Sequence, residues 1–283
     1  MSATLFMSAR SARRKTGIGG RATTSVAASA VALILVAAVL GPWIAPFDPV
    51  EANVLLASQG PNAVHWLGTD SLGRDILSRA LAGARLSISA PAMIVLLSGV
   101  IGTGLAMFSA WHGGALDQVL VRLLNVMFSI PGILVAIIAA ATFGTGFWAP
   151  VIALSLVYIP YVARVVRSVA IVERRRGYVE GLQLAGASVL RINIRHILPN
   201  LFPIILAQIT FGFGAALADF AAISFIGVGV QPPRAEWGVM LADGRSELLN
   251  GAMMQSLVAG TLVVASVVGF NFLGTRVAGG VKS

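Results

Sequence analysis

Cysteine is absent from the 283 residues, lysine is limited to Lys15 and Lys282, and histidine to His65, His112 and His196. The first absence excludes disulfides, thiolate nucleophiles, Cys-ligated zinc and iron–sulfur clusters together. No two histidines stand at helical ligand spacing, which argues against a histidine metal site within one chain. Neither lysine follows a phosphate-cradling G-x-x-x-x-G, so no ATPase motif is present. Charge is scarce as well: 11% of residues are charged, against about 25% in an ordinary soluble domain. What fills the chain instead is apolar, at 57%, with a mean hydropathy of +0.87. That composition excludes a disordered chain, a coiled coil and a standard cytosolic enzyme. It points to an all-α polytopic membrane protein.

A helix needs roughly 20 apolar residues to cross the hydrocarbon of a bilayer. Uncharged apolar runs predict six spans, at about 25–45, 86–110, 123–143, 147–167, 200–222 and 252–275. The third and fourth come from one long run, divided at Gly144-Thr145-Gly146, a natural turn. Pro91, Pro131 and Pro160 are expected to kink their spans. In lipid every backbone group must pair within its own segment, so the spans are helical. The first run has the basic flank of a signal peptide, but it is longer than a typical h-region and no small-x-small site follows it, so it reads as an anchor. Its flank, residues 1–24, is a basic segment apart from the membrane domain of 25–283. Placing both termini in the cytoplasm puts fifteen Lys and Arg inside and five outside. That is the bias the positive-inside rule requires. It also accounts for the net charge of +9 without nucleic acid.

The inner loop 168–199 is the most informative segment. A basic cluster, Arg174-Arg175-Arg176, precedes a helix-competent stretch over 178–185. Gly186-Ala187-Ser188 breaks it, with Ser188 as a good N-cap. In the next stretch Leu190, Ile194 and Ile197 share one face, and Arg191 and Arg195 another. Pro199 suits the first turn of the following span. Two short helices with an apolar side fit a docking surface. They also fit an interfacial helix whose arginines meet lipid phosphates. The last outer loop, about 231–247, carries Pro232-Pro233 and Trp237. It reads as an interfacial segment anchored by tryptophan, as a gate or partner-docking element, or as both. Asp219 is the only acid inside a span, and such residues are costly and often functional. It is expected to line a pathway or a helix contact, or to reach water near the outer end of its span.

Glu180-Gly181-Leu182, three residues, Gly186, nine residues and then His196-Ile197-Leu198-Pro199 resemble the "EAA" loop of ABC-importer permeases. The spacing matches throughout. Gly181 and Leu182 stand for two alanines and His196 for an isoleucine. Residues 65–88, 113–132 and 223–245 are similar to further segments of the same family, in the same order. The chain resembles the second permease subunit of dipeptide, oligopeptide and nickel importers. It departs at Gly274-Thr275-Arg276, where such permeases often have Gly-Asp.

The resemblance implies a type I ABC-importer permease fold in the bacterial inner membrane. It implies a second homologous permease subunit, two ATPase subunits or domains, and an extracytoplasmic substrate-binding protein as partners, beside membrane lipid. ATP and Mg would sit on the ATPases, and no cofactor or metal on this chain. Glu180, Gly181, Leu182, Gly186, Ser188, Leu190, Leu198 and Pro199 become the residues coupling to the ATPase. Asp70, Arg74, Asp75, Arg234 and Trp237 become candidates for docking the binding protein or gating the outer mouth, and Asp219 for the pathway. The expected solute is a peptide, with nickel or another small solute as the alternative. An intramembrane enzyme would need more than a lone Asp219, and a channel formed by this chain alone would not need the long inner loop.

Overall fold

The computed structural model, which describes residues 19–249 and 251–280, is built from helical rods that continue through single prolines such as Pro91, Pro160 and Pro203. In chain order they are α1 (Gly19–Ile44), a 3-10 turn (Val54–Leu56), α2 (Ile76–His112), α3 (Gly114–Phe128), α4 (Gly132–Phe143) and α5 (Trp148–Arg174). Then follow α6 (Gly177–Leu184), α7 (Val189–Ile192), a π-helical turn (Asn193–Ile197), α8 (Leu198–Phe225), α9 (Trp237–Leu249) and α10 (Met254–Gly280). Among the described residues there is no strand, only an isolated bridge between Thr69 and Asp75. The expected basic cluster at Arg10, Arg13, Arg14 and Lys15 lies outside the described residues.

Five helical segments are long and apolar enough to cross a membrane, and α3 with α4 makes a sixth if that bent pair counts as one span. The run expected as a single span over 123–143 is two helices meeting at 81°. Pro131 explains the bend. It donates no backbone hydrogen bond, and it drives the residue before it away from helical geometry. Two other expectations need correction. The helix expected from residue 86 begins at Ile76 and runs through both Arg79, buried against acids, and Arg85, which is exposed. Hydropathy stops at a charge, whereas a helix does not. Residues 168–174, expected in the inner loop, continue α5 to Arg174.

α2 packs along α5, and α8 along α10. The α2–α5 contact is close because Gly102 carries no side chain: a Cβ there would lie 3.0 Å from both the Ile159 carbonyl oxygen and the Val162 Cβ. Small residues at such a crossing are the usual device of membrane helices, which have no hydrophobic effect to draw them together. The larger core gathers Ile76, Ile94, Leu154, Leu217, Phe220 and Trp237. A second gathers Val166, Val179, Ile192, Ile197 and Leu201 at the end of α5. The bundle therefore has two ends, separated by the length of α2. At the cap end, residues 45–75 meet α9; at the loop end lie α6 and α7.

Candidate functional site: a braced loop with an exposed apolar face

At the loop end α6 closes with a residue that only glycine adopts freely. Gly186 has φ +78°, and its N–H bonds the Gln183 carbonyl while that of Ala187 bonds the Leu182 carbonyl, each at 3.0 Å. This is the Schellman arrangement, which satisfies the last carbonyls of the helix. Its usual apolar contact is present too, because Leu182 and Ala187 both pack on the second core. Nothing lies within 4 Å of a Cβ added at Gly186, so conformation rather than space selects glycine. Ser188 then caps α7, its hydroxyl accepting from the Arg191 N–H at 3.4 Å.

The chain does not turn again at Pro199. α7 runs through the π turn straight into α8, with the Leu198 N–H bonded to the Asn193 carbonyl. A proline ring collides with the carbonyl four residues back in an α-helix. The wider turn before Pro199 accommodates it. The extra residue also shifts the helical faces. Ile197, expected beside Leu190 and Ile194, is buried, while Leu190 is 68% and Ile194 56% exposed. Leu184 is 90% exposed. Leu182 and Leu198 turn partly inward, and Glu180, Gly181 and Pro199 lie at the surface.

Three residues brace this loop. The Glu173 carboxylate, buried at the end of α5, accepts from the Tyr178 hydroxyl (2.8 Å) and the Asn200 amide (2.7 Å) and pairs with Arg176 (3.0 Å). The contacts join α5, α6 and the start of α8. Burial and the adjacent carboxylate hold the Tyr178 phenol above its ordinary pKa range. Nearby, Arg174 donates to the Ala110 carbonyl at 2.8 Å, with its guanidinium over Trp111. Arg167 grips Asp117 through Nε and Nη2. A cleft of about 480 Å³ opens beside Glu180 and Gln183, with Arg174, Arg175 and Asp117 on its other walls. Sequence reading missed Glu173, Tyr178 and Asn200. The signal was a lone acid before Arg174-Arg175-Arg176, with no way to see its partners.

The cap end differs from expectation. Asp70, Arg74 and Asp75 are buried, so they do not present a charged surface. Asp70 accepts from the Leu72 and Arg74 N–H groups, each at 2.9 Å, and from Arg74 Nε at 2.6 Å. Arg79 reaches Asp243 at 3.2 Å and the Pro49 carbonyl at 3.2 Å. Asp75 caps α2 through the Ser78 N–H (2.8 Å) and meets His65 at 2.9 Å. Glu247 takes the Ser71 N–H. The expected tryptophan anchor is also inside: Trp237 is 1% exposed and donates to the Ala80 carbonyl at 3.0 Å. Its indole does not reach a lipid interface. Beside it, burial raises the pKa of Glu236, which accepts from Ser87 and the Val239 N–H. Only Arg234 of the expected outer set is exposed.

Asp219 stands apart from both ends. On α8 it accepts the Tyr158 hydroxyl at 2.9 Å and lines a groove of about 340 Å³.

Helices alone among the described residues, five or six of them apolar spans, with a braced loop at one end of the bundle, define a polytopic membrane protein. Residues 102–281 match the family described as binding-protein-dependent transport system inner membrane component, and the chain belongs to that family. It is 36% identical over 250 residues to the dipeptide transport system permease protein DppC of Haemophilus influenzae, covering 86% of this chain and 84% of that one. It is 34% identical over 255 residues to the probable D,D-dipeptide transport system permease protein DdpC of Escherichia coli, covering 90% and 85%. It is 36% identical over 249 residues to the glutathione transport system permease protein GsiD of Escherichia coli, covering 88% and 82%.

Proposed function

We propose that this chain is one permease subunit of an ATP-driven peptide importer and that the loop over 178–199 carries the ATPase contact. The observation behind this reading is the exposed apolar row of Leu184, Leu190 and Ile194 on a loop braced to two spans. An apolar face that water meets on a rigid support suits a partner protein. A loop that moves with α5 and α8 passes the partner's motion into the bundle. The relatives named for dipeptide, D,D-dipeptide and glutathione transport support a peptide as solute. A second homologous permease subunit completes the path, two ATPase subunits hold ATP and Mg, and an extracytoplasmic binding protein delivers the solute. Both termini of this chain face the cytoplasm of a bacterium. No bond is made or broken on the chain itself.

Leu184→Asp and Leu190→Asp test the contact. Interfaces concentrate their energy in a few buried residues worth about 2 kcal/mol or more, so each variant should weaken ATPase association about 25-fold. Co-purification and peptide uptake should fall while the permease still folds. Normal association and uptake in both variants overturn the reading. If the loop lies on lipid instead, Arg191→Ala with Arg195→Ala weakens binding to anionic vesicles and the leucine variants transport normally.

A further inference from the structure

The groove beside Asp219 lies between α2, α5 and α8, with Val95, Tyr158, Tyr161, Gln208 and Ile209 among its walls. Asp219 is the one carboxylate in that lining. The Tyr158 hydroxyl bonds its Oδ2 at 2.9 Å, and its Oδ1 accepts no hydrogen bond among the described residues. No described Lys, Arg or His lies within ion-pair distance of it. Asp219 is exposed to the groove. Asp219 lies within the expected span 200–222, near the end of α8, and a carboxylate within a span is costly and often functional.

The surroundings say which ligand suits that carboxylate. The rings of Tyr158 and Tyr161 lie 5.6 Å apart in the same groove, and Tyr161 is exposed to it. A carboxylate next to aromatic faces is the chemistry that holds an ammonium group. A hard divalent metal wants six or more oxygens, and no cluster of three metal-ligating side chains exists among the described residues. An anion would find no cation here. The groove runs along α8 from Gln208 to Asp219, about 16 Å at 1.5 Å per residue. An extended dipeptide spans about 7 Å, so a short peptide fits with room to slide.

We propose that Asp219, held by Tyr158, is a solute subsite that takes the terminal ammonium of the transported peptide. The proposal rests on the peptide-import reading above, and the test separates the two. The chain has no native cysteine, so Ala215→Cys, in the groove wall, reports occupancy by its rate of maleimide labelling in the purified transporter. At about ten times its Kd, a free-amino dipeptide or butylamine should slow labelling about tenfold, as occupancy of one site requires. An N-acetyl dipeptide should not. In the Asp219→Asn background, which keeps an acceptor for Tyr158, protection by both amines should disappear. Equal protection by the acetylated peptide, protection that survives Asp219→Asn, or no protection by either amine overturns the subsite. Uptake of free-amino dipeptide by proteoliposomes carrying the unmodified transporter is measured alongside. Butylamine protection that depends on Asp219 without any peptide uptake keeps the subsite and removes the peptide-import reading. Peptide uptake without amine protection does the reverse.

Discussion

The two ends of the bundle differ in how they hold charge, although both expose apolar side chains, Val54, Leu55, Val64 and Trp66 at the cap end and Leu184, Leu190 and Ile194 at the loop end. At the cap end Asp70, Arg74, Arg79 and Asp243 form a closed set, and the first three of them are buried. At the loop end the buried acid Glu173 braces the backbone, and leucines stand in water. A closed ionic set asks for nothing further. An exposed apolar row on a rigid base is incomplete until something covers it. Charge in a loop is therefore a poor guide to exposure, because the cap charges are buried by their own pairing.

The sharpest test removes the centre of the cap. Asp70→Ala removes the carboxylate that Arg74 and Arg79 share, leaving the two guanidiniums with Asp243 and the Pro49 carbonyl, and frees two backbone N–H groups. Breaking a buried ion pair by deleting one partner costs about 3–5 kcal/mol. The purified protein should melt well below wild type. Arg234→Glu, on an exposed residue of the same end, should shift stability by no more than about 0.5 kcal/mol. If Asp70→Ala melts like the wild type, the cap charges are a surface feature and the contrast between the ends fails.

A smaller effect is expected at Gly186. Its surroundings are open, so Gly186→Val costs only the backbone term, about 1–2 kcal/mol for a side chain in the left-handed region. Asn tolerates that region, so Gly186→Asn should cost less. Amide exchange in α6 should rise in the order Gly, Asn, Val, while melting of the whole bundle barely moves. Exchange that is the same in all three would mean the Schellman turn does not set the loop's geometry.

Much of this architecture was legible in the sequence, for reasons specific to the residues. Apolar runs give the spans because lipid leaves the backbone no alternative. Gly186 and Ser188 mark the break in the loop because a positive φ and a helix cap each demand particular side chains. The remainder depended on contacts that join distant parts of the chain. Ser71 meets Glu247 across 176 positions and Arg79 meets Asp243 across 164, and no local pattern carries that. Pairing of this kind is why the outer charges are buried rather than exposed, and the charges of Arg79 and Arg85 started the expected second span ten residues late. The π turn hid for another reason. The register of Leu190, Ile194 and Ile197 assumes 3.6 residues per turn, and one wide turn ahead of Pro199 is enough to send Ile197 inward.

The finest distinction between the two ends lies in a single hydroxyl. The Tyr178 hydroxyl donates to Glu173 at 2.8 Å and lies 3.3 Å from the Asn200 amide nitrogen. Tyr178→Phe removes both contacts and keeps the ring. Glu173 retains Asn200 and Arg176, so it is not left unpaired, and the loss is that of one ordinary hydrogen bond, about 1 kcal/mol. Val179, fully buried on the second core, still pins α6. Global melting should therefore hold, and the change should appear as local opening, with α6 amides exchanging about fivefold faster. The cap end shares no contact with this brace, so amides over 65–75 should exchange as before. Faster exchange at both ends would show that the bundle opens as one unit, and the two ends would then differ in composition but not in stability. Unchanged exchange in α6 would place its anchor in Val179 and the core alone, leaving Tyr178 with no part in holding the loop against α5.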